Sequence, residues 1–147
     1  MEHGSPNLAV LNQAFRDAVP HNKALGLELV DVGPGEGYAA MRLPYAPDLV
    51  GDPSTGVLHG GAITALIDAC CGAAVFMKLQ RPIPIATLDL RIDYLKPATA
   101  GRDVFARAET LKLTRNVAFV RATAFCDDAA DPVAAAAASF MLRTRGR

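Results

Sequence analysis

Between Val57 and Met77 the chain carries an almost unbroken apolar run with a single carboxylate, Asp68, in its middle. A segment of this kind either crosses a membrane or becomes the buried helix of a core. Membrane insertion is the weaker reading. A central Asp costs roughly 2.5–3.5 kcal/mol on insertion scales, and a run made mainly of Ala and Gly has little surplus hydrophobicity to offset it. A helix buried in protein satisfies the pattern, and Pro82 and Pro84 close it. The rest of the fold must then wrap this helix.

The flanking sequence supplies the wrapping. Residues Asn7 to Val19 place Leu8, Leu11, Phe15 and Val19 near one helical face, with Asn7 as N-cap and Pro20 as the stop; residues 1–20 read as an N-terminal helical segment. Leu25–Val32 and Tyr38–Leu43 read as strands joined by the turn GPGEG, and Pro44–Gly56 as a loop. Thr87–Leu95 alternates, with Leu88, Leu90, Ile92 and Tyr94 on one side and Thr87, Asp89, Arg91 and Asp93 on the other. Asp103–Leu113, Val117–Cys126 and Val133–Leu142 complete a meander, the last in spite of the helix propensity of its five alanines. The expectation is α+β: one apolar helix against a curved antiparallel sheet, in a single domain over residues 1–147.

Composition narrows the function. Lys plus Arg and Asp plus Glu number 15 each, so no global charge excess points to nucleic acid or an anionic membrane. Three cysteines, two of them adjacent, make a poor disulfide framework and suggest a reducing, cytoplasmic compartment. The N-terminal stretch lacks the basic-then-apolar pattern of a secretory signal. Cys70 and Cys71 lack metal-site spacing and read as small core fillers; no metal and no separate cofactor is expected. His3 reads as part of a frayed tail and His21 as a solvated loop residue. No G-x-S-x-G elbow, P-loop or dinucleotide fingerprint is present.

Two features carry chemistry. Asp68 inside an apolar helix must be paired, hydrogen-bonded or open to a cavity; it is either a structural carboxylate or a functional one. The segment His59-Gly60-Gly61 at the helix start offers free backbone N–H groups where the helix dipole favours negative charge, an arrangement suited to an oxyanion. Asp68 follows His59 by nine residues, which on a helix is about 13 Å along the axis and two and a half turns. The two side chains point to roughly opposite faces. If both act, one subunit supplies His59 and Gly60 and another supplies Asp68, as a two-fold dimer would allow.

HGGAITALIDACCGAA resembles the signature of PaaI-type hotdog thioesterases, in which HGG is followed by an acidic residue at this spacing. The likeness runs on through ATLDLRIDYLKPA and TRNVAF and covers Leu25 to Leu142. It implies a hotdog fold and hydrolysis of acyl-CoA to a carboxylic acid and free CoA. It implies Asp68 as the catalytic carboxylate (general base or nucleophile), the Gly60 N–H as the group polarising the thioester carbonyl, and His59 as the organiser of that end. Thr87 matches a hydroxyl that positions water, and Arg115 a basic residue near the CoA nucleotide. Gly61, Ala65, Ala69 and Gly72 would leave room for substrate. The family habit implies a dimer, or a tetramer built from two dimers. One departure is Pro53, where many relatives carry Asn or an acid; that helper is absent, or Asp52 or Ser54 supplies it. Two other readings stay open: a hotdog dehydratase or hydratase, and a non-catalytic acyl-CoA-binding domain.

Overall fold

The computed structural model describes residues 6–143; His3 lies outside them. In chain order the elements are α1 (Leu8–Ala18), α2 (Pro20–Leu25), β1 (Glu28–Gly33), β2 (Tyr38–Leu43), β3 (Val50–Asp52), β4 (Val57–Leu58), α3 (Gly60–Leu79), β5 (Ile85–Tyr94), β6 (Val104–Leu113), β7 (Val117–Phe125) and β8 (Ala134–Leu142). Six strands form one sheet in the order β1-β2-β6-β7-β8-β5, and every neighbouring pair is antiparallel. α3 packs on this sheet, which is the expected α+β hotdog arrangement.

Small residues let the helix sit close. α3 buries Leu66, Ile67, Cys70, Cys71, Ala73 and Ala74 completely. The strands beneath answer with Ala39, Ala106, Ala118 and Ala124, all fully buried as well. The Cys70 thiol lies 3.5 Å from the carbonyls of both Ala39 and Ala106. Burial drives the Cys70 thiol pKa upward, and Cys71 is pushed up to about 12, first by burial and then by the nearby Asp68 charge. Neither thiol is a nucleophile at neutral pH; both are fillers, as the sequence suggested.

α1 begins at Asn7, whose side chain accepts from Ala9 N at 3.0 Å and Val10 N at 3.3 Å. It is fastened to the β1 edge by Asn12, which donates to Leu29 O at 2.9 Å and accepts from Leu29 N at 2.6 Å. One edge of the sheet is thereby covered.

Several boundaries differ from expectation. Pro20 ends α1 but also opens α2, because proline is well suited to a first helical position. Leu25 therefore closes a helix, Gly26 turns the chain at φ 69°, and β1 starts only at Glu28. The Pro44–Gly56 loop contains a 3-10 turn and β3, which pairs with β4 just beyond it. β5 starts two residues early, at Ile85. The alanine-rich last segment is a strand because β7 and β5 pair with it on both sides, which overrides local helix propensity.

The alternation in β5 also needs correction. The register with β8 skips Leu88: Thr87 pairs with Phe140 and Asp89 with Ser139. The skipped residue is a bulge. Thr87 consequently faces α3, on the same side as Leu90, Ile92 and Tyr94 rather than opposite them. Matching skips occur at Val30 in β1 and Leu111 in β6. All three bulged residues are exposed apolar side chains, at 38% (Val30), 52% (Leu88) and 54% (Leu111).

Candidate active site

Asp68 sits half-buried on the face of α3 turned away from the sheet centre. Thr87 Oγ1 donates to its Oδ1 at 2.8 Å. The pair opens on a groove of about 980 Å³ between α1 and α2 on one side and α3 and β5 on the other. Ala65, Ala69 and Gly72 line it as expected, with Gly61 at one end and Phe76 and Met77 towards the other. The lining is mostly apolar, so an acidic group there stands out chemically.

The start of α3 is built with unusual precision. His59 is the N-cap: its Nδ1 accepts from Gly61 N at 2.8 Å. Nδ1 must present a lone pair, which puts the proton of the neutral ring on Nε2. A Cβ at position 61 would stand 2.8 Å from that same nitrogen, so Gly61 is required for the cap. The Gly60 carbonyl accepts from Tyr94 Oη at 2.7 Å and Thr64 Oγ1 at 3.0 Å, and the two hydroxyls are 2.6 Å apart. Among the described residues, the Gly60 N–H has no acceptor. The first turn is therefore locked with one donor left free at the positive end of the helix, the arrangement that stabilises an oxyanion.

The two halves do not meet within one chain. His59 borders a separate groove of about 310 Å³ with Asp48, Leu49 and Ala62, while Gly61, Ala65 and His21 border both. Arg115 is exposed on the β6–β7 turn and lines neither groove. That turn lies at the end of the sheet where β5 begins, since Leu142 N bonds Asn116 O and Arg143 N bonds Pro84 O. Asp52 and Ser54, beside Pro53, are bonded to each other: Asp52 Oδ1 accepts from Ser54 Oγ at 2.7 Å and Ser54 N at 3.0 Å. These bonds hold the Asp52 carboxyl below its usual range. Sequence reasoning missed Thr64 and Tyr94, whose roles depend on a strand crossing a helix turn, and Asn22 on α2. No cluster of metal-ligating side chains exists among the described residues.

The apolar helix on one antiparallel sheet defines the hotdog class, and comparison with known proteins adds thioester hydrolysis to the fold. The thioesterase superfamily model matches residues 55–133, and the chain belongs to that superfamily. It is 28% identical to the medium/long-chain acyl-CoA thioesterase YigI of Salmonella typhimurium, across 92% of this chain and 93% of the relative. A crystal structure from Pseudomonas aeruginosa superposes with TM-score 0.82 at 40% identity, covering 95% of this chain and all of that one. A variant of the phenylacetic acid degradation protein PaaI from Thermus thermophilus superposes with TM-score 0.71 at 29% identity, covering 84% and 98%. The likeness is thus of the PaaI type, and the chain is an enzyme.

Proposed function

We propose that this enzyme hydrolyses acyl-CoA thioesters, giving a carboxylic acid and free CoA, in sites shared between two copies of the chain. The observation that carries this reading is the Asp68–Thr87 pair opening on an apolar groove large enough for an acyl group. Asp68 takes a proton from water whose oxygen attacks the thioester carbonyl, or attacks directly to form a mixed anhydride that water then opens. Charge builds on the carbonyl oxygen, and the free Gly60 N–H of the partner copy receives it. The C–S bond breaks, and the thiolate leaves without need of a strong acid. His59 holds the Gly60 turn through its cap on Gly61. Arg115 contacts the CoA nucleotide from the sheet end near Pro84.

The outer edge of β5 supports self-association, since among the described residues no helix covers it as α1 covers the β1 edge. A dimer is the smallest unit that completes the site, and a tetramer built from two dimers repeats it. The three free, buried cysteines favour the cytoplasm. The test is a panel of acyl-CoAs assayed for free thiol. Hydrolysis releases thiol in proportion to acid. Hydration of an enoyl group releases none, and a binding domain shows affinity without turnover. Absence of thiol release across the panel removes this reading.

A further inference from the structure

Of the polar side chains that line the groove and that the catalytic scheme leaves unused, one is buried. Asn22, on α2, is only 7% exposed and lines the groove together with Ala65, Asp68 and Thr87. Its backbone is fully engaged: N–H donates to Val19 O at 2.9 Å, and its carbonyl accepts from Leu27 N at 3.0 Å. Its side-chain amide, with two donor hydrogens and an acceptor oxygen, has no partner among the described residues. It is not sealed in the core either, because Thr110 Oγ1 is the one side-chain polar atom among them that is enclosed without a partner. The amide therefore opens on the groove. The neighbouring His21 borders both grooves, so α2 straddles the stretch of α3 between Gly61 and Asp68.

An amide nine-tenths buried in an apolar wall, with no protein partner and reached only through the groove, favours whatever bonds to it there. Asp52 and Ser54 do not compete for that place, being bonded to each other on an exposed turn. We propose that Asn22 is a substrate-binding residue of this site: its Nδ2–H donates to the thioester group held over Asp68. The proposal rests on the thioester-hydrolase reading and adds to it a residue from α2, upstream of the segment that matches the superfamily.

The test compares Asn22→Leu and Asn22→Ala with the wild type in three measurements: thiol release from the acyl-CoA panel, Tm, and mass in solution. Leucine branches at the same carbon as asparagine, is larger, and has room in the groove, and it removes a polar group that no protein atom satisfies. Asn22→Leu should therefore keep or raise Tm while kcat/KM falls about tenfold or more, the loss of one hydrogen bond to substrate. Asn22→Ala should lose a similar factor. Leu fills the groove and Ala empties it, so a purely spatial role would move the two in opposite directions. The proposal is overturned if both variants keep wild-type kcat/KM. It is overturned if they move in opposite directions. It is overturned if Tm and activity fall together in both, which marks the amide as structural, or if the mass drops, which gives its bond to a second copy. A wild type that releases no thiol removes the parent reading and this one with it; an active wild type with unimpaired variants removes this one alone.

Discussion

The two faces of α3 use the same kinds of residue for opposite ends. Towards β2, β6 and β7, Cys70 and Ala74 are small so that backbones approach, and nothing is left open. Towards the groove, Ala65, Ala69 and Gly72 are small so that nothing fills the space in front of Asp68. One face spends small side chains on contact and the other on vacancy. Composition does not distinguish the two; only the partner across the gap does.

The largest effect should come from the groove face. Asp68→Asn keeps the shape of the side chain but removes the base and the anionic nucleophile, so kcat should fall on the order of 10³-fold. Tm should change little, because the amide still accepts from Thr87. Near wild-type turnover in the folded variant would return Asp68 to a structural role.

Gly60→Pro should come next. Proline is tolerated at a first helical position, the N–H it removes has no acceptor among the described residues, and His59 at φ −62° and ψ 133° already has the conformation preferred before proline. The Tyr94 ring must shift slightly, as a Cβ there meets it at 3.4 Å. Turnover should drop by about 10²–10³ with the helix intact by circular dichroism. Reassembling this variant with Asp68→Asn subunits then tests the shared site. Random mixing makes about half the dimers mixed, each with one undamaged site, so roughly a quarter of wild-type activity should return. Subunit exchange without recovery would break the two-chain model.

A pair of enlargements sharpens the contrast between faces. Cys70→Leu forces extra atoms against the Ala39 and Ala106 carbonyls and should destabilise by about 1–3 kcal/mol, read as a Tm lower by roughly 4–12 °C. Ala69→Leu adds a similar bulk into the groove, so Tm should hold while activity on bulky acyl groups declines. Equal losses of stability in both would mean that the groove closes in solution. The smallest effect belongs to Arg115→Ala, remote from the reacting carbon. KM for acyl-CoA should rise a few-fold with kcat nearly unchanged, and a substrate with a shortened thiol should not notice the change.

The fold was largely legible because its strongest signals are long: a helix of apolar residues and strands bounded by turns. Asp68 and the HGG entry were legible because polar or conformationally permissive residues interrupt that apolar pattern. What escaped was set by tertiary contact. Asn22 lies in a six-residue helix with no periodicity to read, and the stretch just before β1 looked like strand. Thr64 and Tyr94 are ordinary residues thirty positions apart whose hydroxyls meet only when β5 crosses the first turn of α3. The side assigned to Thr87 was reversed because one skipped residue inverts everything before it in a strand.

That skipped residue has a consequence of parity. Thr87 steadies Asp68 and Tyr94 steadies Gly60, and the two are seven positions apart, an odd interval that a regular strand would send to opposite faces. Leu88 supplies the missing half-cycle. Pairing it in regular register with β8 would restore even pleating over those seven positions and oblige the strand to choose: hold the carboxylate and release the helix entrance, or the reverse. A leucine that touches neither end thus keeps both in phase on a single strand.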